Sequence, residues 1–356
     1  MSRQSELAQL GRVFDTGPLS NRNLIINGGM QVWQRATAAT AAVNTSYTTV
    51  DRFLTFLSGG GAFTTEQSTG HLADTGHDTA LKISVTTADT SIAAGDYYSF
   101  LQKIEAQNLQ QLQYGTSSAK EMILSFWVRA TKTGTQTIFL TKNDSTQYNF
   151  VQEYTINQSD TWEYKTIKIP ALTASGITND SGLGIQVGWI LKYGSTYNGT
   201  AGSWTTSSIF TTSNAVNNMD STSNTFYLTG VQLEVGDTAT PFEHRSYQDE
   251  LLRCKRYFHT LTSTGIRYPV IRDNNTTIAT ALFPLPVPLR ASPTLGGSLD
   301  KTGTNSGSSY GSDTTPSVRT FEADNNCITL YASGTTAITS EATVLLPNDL
   351  TMDAEL

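Results

Sequence analysis

Between residues 23 and 243 apolar and polar positions alternate with a period of two, and helical periodicity is nearly absent. In 121–130, Met122, Leu124, Phe126 and Val128 fall on one face of a strand. In 164–169 the inward pair is Ile167 and Ile169, with Lys165 and Lys168 at polar or edge positions. Similar patterns predict strands over 51–57, 80–85, 97–104, 136–141, 163–169, 183–191 and 224–234. Leu24 to Trp33 reads as two apolar runs about an Asn27-Gly28 turn, a hairpin signature. Gly, Ser, Thr and Asn fill the gaps, and no repeat of about 20–50 residues is evident. Together these features predict an all-β antiparallel sandwich of two sheets.

Two segments break the alternation. Leu7, Leu10 and Phe14 recur at helical spacing before Gly17-Pro18, so residues 5–14 form either a short docking helix or a frayed terminus. Ser246 opens a second helix, with Asp249 and Glu250 in its first turn and Arg253, Lys255, Arg256 and His259 toward its end. Tyr247, Leu251, Cys254 and Phe258 step by 4, 3 and 4 along it. That spacing suits either an oligomer seam, here a trimer seam, or packing within one chain. Shorter β segments follow (265–271, 277–285, 327–331, 343–346), interrupted by a Gly/Ser/Thr-rich loop over 296–317. The expected organisation is a peptide over 1–22, a sandwich over 23–245, and a short helix with a small β domain over 246–356.

Composition narrows the function. Charged residues are 15% of 356, against a usual ~25%, while Thr is about one residue in six and favours pleated, half-buried surface. Thirty acids against 23 bases give a net charge of −7 with no basic run. Phosphate neutralisation needs clustered Lys and Arg, so nucleic acid is not an expected partner. Neither a secretory h-region nor an apolar run of the ~20 residues a membrane span needs is present. Cys254 and Cys327 stand apart, giving neither a disulfide framework nor a zinc pattern, so no cofactor is expected on these grounds.

Enzymatic motifs are weak. Gly307-Ser-Ser309-Tyr-Gly311 matches the nucleophile-elbow string but lies in loop composition, without the strand before or the helix after that the elbow needs. His71, His77, His244 and His259 show no paired-ligand spacing; His71 and His77 beside Asp74 and Asp78 read as solvated loop. A glycan-cleaving pair of carboxylates about 5–9.5 Å apart has no recognisable motif here. Sugar binding suits the composition better: aromatic faces stack on pyranose rings while amides bond hydroxyls. Tyr193, Tyr197, Asn198 and Trp204 form an aromatic-bearing polar stretch between two strands and are the candidate glycan contacts. Trp204 equally suits strand packing, and Trp33, Trp127, Trp162 and Trp189 are expected in the core.

Several segments carry a resemblance. Asn23 to Arg35 (Asn-Leu-Ile-Ile-Asn-Gly-Gly-Met-Gln-Val-Trp-Gln-Arg), then Tyr47 to Phe53, resembles the opening of a family of bacteriophage virion proteins. Phe226 to Gly236 (Phe-Tyr-Leu-Thr-Gly-Val-Gln-Leu-Glu-Val-Gly), Ala239 to Glu243 and Glu250 to Phe258 are similar to that family's characteristic block, and Pro286 to Thr294 with Asp353 to Leu356 resemble its C-terminal region. The resemblance implies a tail-fibre or other virion appendage protein, made in the host cytoplasm and built on a jelly roll like that of carbohydrate-binding modules. It further implies a homotrimer joined to other virion proteins and contact with host-surface glycan; the matched segments begin at Asn23, so Leu7, Leu10 and Phe14 are the expected virion anchor on their helical spacing. In related sandwiches the positions of Asn27 and Glu234 sometimes meet around calcium, so these two are the candidate metal ligands. The expected function is a non-enzymatic, glycan-contacting virion fibre without membrane insertion. The alternatives are a capsid fibre or decoration protein with no receptor of its own, and a polysaccharide depolymerase.

Overall fold

A computed structural model describes residues 21–40, 46–70, 72, 75–261, 267–272, 278–296, 300–303, 317–321, 327–333, 342–345 and 350–356. The proposed anchor residues Leu7, Leu10 and Phe14, the Ser309 string, His71 and Asp74 lie outside them. The chain divides into two compact units, Met1–Glu250 with Leu356, and Leu251–Glu355.

The first unit is an antiparallel jelly-roll sandwich. Its strands are β1 (Ala38–Thr40), β2 (Phe53–Ser58), β3 (Ala62–Thr69), β4 (Thr79–Thr87), β5 (Tyr97–Glu105) and β6 (Met122–Ala130). They continue as β7 (Gly134–Lys142), β8 (Tyr148–Ile156), β9 (Glu163–Ile169), β10 (Leu183–Tyr193) and β11 (Thr225–Val235). The chain crosses repeatedly between two sheets, ordered β1-β3-β4-β11-β6-β9 and β2-β5-β10-β7-β8. Met122, Leu124, Phe126 and Val128 are fully buried between the sheets, as their alternation predicts, and Ile167 and Ile169 join them. Trp189 of β10 sits at the centre, stacked on Phe100 at 5.7 Å and edge-on to Phe126 at 5.6 Å. Three strands escape the sequence pattern, the short β1 among them. In β3 only Phe63 and Thr65 are buried, so threonine does work that an apolar residue usually signals. In β8 the sequence Asn149, Gln152, Glu153 interrupts the apolar run.

The predicted hairpin at Leu24 to Trp33 is not formed; the segment is irregular. Asn27 is left-handed (φ 61°), and its amide closes the loop, accepting from Gln31 and Val32 N–H and donating to the Val32 and Asp51 carbonyls. The apolar residues instead dock on the bulged half of β11. Leu24 N–H donates to Leu233 O at 2.8 Å and Val231 N–H to Gly28 O at 2.9 Å. Asn23 completes the join, donating to Val231 O and accepting from Leu233 N–H. Glu243 then accepts from the Arg22 and Asn23 N–H groups, and Arg245 donates to the Ile25 carbonyl. The three segments around Asn23, Val231 and Glu243, far apart in sequence, are therefore one physical joint.

Helix α1 (Tyr247–Lys255) starts at the predicted cap: Ser246 Oγ accepts from Asp249 N–H at 3.1 Å and donates to its carboxylate at 2.6 Å. Ser246→Ala is expected to cost about 1 kcal/mol, read as a shift of the urea midpoint. The proposed seam does not survive: α1 ends at Lys255, Phe258 begins a strand, and Cys254 and Phe258 are buried within this chain. Tyr247 and Leu252 are the exposed apolar residues of the helix. In the second unit, Phe258–Leu261 and Thr294–Gly296 flank Leu350–Asp353 in a three-stranded antiparallel sheet, and a separate six-stranded sheet contains Ile278–Pro284 at its interior. Among the described residues, no helix is long and apolar enough to cross a membrane.

Candidate functional site

In the five-stranded sheet, apolar residues occupy both faces. Phe53 and Leu57 of β2 point into the core, while Leu54 and Phe56 point outward; in β5, Tyr98 and Phe100 are inward, with Tyr97 and Leu101 outward. A sheet face exposed to water does not need that second apolar set, so it marks either a cover or a binding surface. Here it is both. The segment after β10 folds back over β7 and β8, where Thr137 and Thr211 hydroxyls meet at 3.0 Å and Phe210 packs edge-on to Phe139 at 5.3 Å. Over β2, β5 and β10 it leaves a groove of about 360 Å³.

The floor is Leu54, Leu101, Phe139 and Tyr193. Phe139 reaches across the sheet because its neighbour is Gly188, where a Cβ would lie 2.2 Å from the Phe139 ring. Tyr193 is buried, its hydroxyl paired with Ser99 at 2.8 Å, and burial pushes its phenol well above the usual range. The walls are half-buried: Phe56 stacked on Tyr97 at 4.5 Å on one side, Tyr197 against Phe210 at 5.8 Å on the other. Lys103 and Gln186 supply polar atoms to the lining, and no Asp or Glu is among its described residues.

The sequence-based candidates separate here. Tyr193 and Tyr197 belong to the groove as floor and wall. Asn198 is exposed just beyond Tyr197 and does not line it. Trp204 is elsewhere: its indole N–H donates to Pro170 O at 2.7 Å and its ring packs on Phe150 and Tyr114 beside the core. Phe56, Tyr97 and Phe210 were not singled out by the sequence, although the double apolar parity of 53–57 and 97–101 carries the signal. Asn27 and Glu234 are not brought together around an open site. Glu234 accepts from Thr240 N–H and Oγ and from the Gln232 amide, which makes it a loop closer like Asn27. Among the described residues, no three His, Cys, Asp or Glu side chains come together to hold a metal.

A second concavity, about 540 Å³, lies on the outer face of the six-stranded sheet. His77, expected in a solvated loop, is only 8% exposed. Phe242 packs edge-on to its ring at 4.6 Å and His244 lies 5.4 Å away. Burial first, then His244, lower the His77 imidazole from 6.5 to about 4, with Asp78 opposing. The unfolded chain therefore takes up this proton before the folded one. The resulting stability is fully present above pH 6.5 and is lost as pH falls toward 4. Asp51, raised to about 6 by burial against the pull of Arg35, acts with opposite sign. The difference between wild type and His77→Gln isolates the histidine: between about pH 7 and 5 the wild type should lose more thermal stability than the variant by scanning calorimetry.

Fold and groove thus define a jelly-roll sandwich with an aromatic-walled groove on one outer face. No protein-family model and no curated protein matches the sequence. Among solved structures the chain is similar to the enzymatically active domain of bacteriophage CBA120 tailspike protein 4, at 12% identity and TM-score 0.31 over 60% of this chain and 21% of that one. It thus spans about a fifth of that domain's length. It is also similar to a putative sugar binding protein from Bacteroides thetaiotaomicron (11% identity, TM-score 0.34, covering 60% and 100%) and to a family 11 carbohydrate-binding module from Clostridium thermocellum (14%, 0.28, 56% and 100%). Likeness at this level assigns the chain to no family.

Proposed function

We propose that this chain is a non-enzymatic glycan-binding protein of a bacteriophage particle, and that the groove framed by Phe56, Tyr97, Tyr197 and Phe210 is where it contacts host-surface saccharide. The observation that carries the reading is the set of half-buried rings around an open groove on a rigid sheet, where most of the other apolar side chains are covered. Such rings bury the C–H faces of a pyranose with little loss of side-chain entropy. A lining without carboxylates favours binding over glycoside hydrolysis, which needs a pair of them. The place in a virion and the trimer rest on the motif resemblance, and the anchor rests on the helical spacing of Leu7, Leu10 and Phe14. A trimer would add avidity to weak single sites, and light scattering at micromolar concentration reads it directly.

Affinity electrophoresis in gels containing host capsular or lipopolysaccharide tests the central reading. Retardation without release of reducing ends supports it. Unchanged mobility in every host polysaccharide, or steady release of reducing ends, would overturn it.

A further inference from the structure

The second concavity is built differently from the groove. Strand β11 bulges between Thr229 and Gln232, placing Gly230 in the left-handed region at φ 59°. A Cβ there would lie 2.5 Å from His77 Nε2 and 3.0 Å from Trp127 Cδ1, so bare backbone forms the floor between an imidazole and an indole. Trp127, whose strand position predicted core packing, faces outward instead, because Phe126 and Val128 take the inward positions. Tyr164, 44% exposed on the neighbouring strand β9, meets it at 5.3 Å and 52°, opening an aromatic V beside the imidazoles.

Thr75 and Thr240 of this cleft bond to protein, but three other polar side chains are unspent. Ser125 is 2% exposed and His77 8% exposed, yet among the described residues neither side chain makes a hydrogen bond to protein, and nor does the imidazole of His244. Their free polar atoms are not sealed in the core but open onto the cavity, and His244 is exposed, so water solvates them and a ligand hydroxyl can take its place. These three converge on an open cavity, where a ligand can complete them. The ligand's character follows from the lining, which among the described residues holds no Asp, Glu, Lys or Arg. Ionic ligands find no counter-charge there. A neutral imidazole both donates and accepts, as a sugar hydroxyl does. With only two imidazoles and no third His, Cys, Asp or Glu among the described residues, a metal ion would be poorly held.

We infer that the cleft between Trp127, Tyr164, His77 and His244 is a second binding site, on the sheet opposite the groove, for a neutral pyranose stacked on Trp127 and hydrogen-bonded by His77, His244 and Ser125. It does not depend on the groove: one chain would hold saccharide on both outer faces, and either site can fail without the other.

Imidazole proton resonances of the full chain, assigned with His77→Gln and His244→Gln, provide the test. They are followed while methyl glycosides of glucose, galactose, mannose and rhamnose are added to ~100 mM, a range suited to millimolar dissociation constants. The His77 and His244 signals should shift saturably with at least one glycoside. Tyr164→Ala, an exposed edge substitution, should weaken that response at least tenfold, while Tyr97→Ala in the groove leaves it unchanged. Imidazole signals that no glycoside moves, or that move equally in Tyr164→Ala, would overturn the site even if the groove binds polysaccharide. Stoichiometric shifts with micromolar zinc would overturn it in favour of a metal.

Discussion

Replacing Trp189 by alanine should destabilise the sandwich by about 3–5 kcal/mol, a large share of the ~5–15 kcal/mol that typically holds a domain together. Trp189 is fully buried at the centre of β10, where the two sheets meet on its ring. Phe100 stacks on it from the same sheet, Phe126 meets it edge-on from the opposite sheet, and Phe53 lies tilted at 6.3 Å. Backbone pairing on both sides, to β5 and β7, fixes the strand, so the walls cannot collapse into the hole and the cavity cost is paid in full. Trp189→Phe discriminates this from a polar explanation. Among the described residues the indole N–H meets no acceptor, so losing it forfeits no hydrogen bond, and most of the ring packing is retained. Phe should therefore cost well under half of what Ala costs. Urea midpoints at constant m-value read both; a loss under about 1 kcal/mol for Ala would mean that the ring is not the keystone its burial indicates.

Strands such as β4 and β9 were legible because each needs only its own alternation, one buried face and one wetter face giving a period of two, whereas the doubly buried β5, β7 and β10 around Trp189 showed as β-rich apolar runs. The joint between residues 23–28 and β11 was not legible. Asn27-Gly28 satisfies the local rule for a hairpin, yet Gly28 is required for a different reason. A Cβ on it would lie 2.1 Å from the Val231 carbonyl oxygen, more than 200 residues away in the chain. A local pattern cannot report a distant carbonyl. The same limit explains the helix. Its cap, spanning Ser246 to Asp249, was readable, but the seam drawn through Phe258 assumed that periodicity continues where the backbone turns into a strand. The groove was half legible. Tyr193 and Tyr197 stand in one aromatic stretch, whereas Phe56, Tyr97 and Phe210 come from three segments that only the sheet order β2-β5-β10 and the returning loop bring together. The pairing of His77 with His244 lay beyond sequence spacing for the same reason.

Tyr97→Ala should weaken polysaccharide binding by about 30-fold, the equivalent of roughly 2 kcal/mol, while lowering stability by only about 1 kcal/mol. The asymmetry follows from where the ring lies. Tyr97 is half-buried at the start of β5, stacked on Phe56 at 4.5 Å and within 6.2 Å of Tyr197. Removing it opens one wall to water and frees Phe56 to reorient, so the groove loses a stacking face and the order of another. The core beneath is untouched, because Tyr98 and Phe100 carry the inward side of the same strand. Trp204→Phe is the matched control. It deletes the bond to Pro170 O, worth about 1 kcal/mol of stability, but its ring packs beside the core against Phe150 and Tyr114 rather than in the groove. Affinity should then be unchanged although stability falls as much as in Tyr97→Ala. Affinity electrophoresis and thermal unfolding on the same two variants separate the effects. If Trp204→Phe loses the polysaccharide while Tyr97→Ala keeps it, the binding surface is the loop that carries Asn198 and Trp204, and the aromatic groove is only the packing of that loop on its sheet.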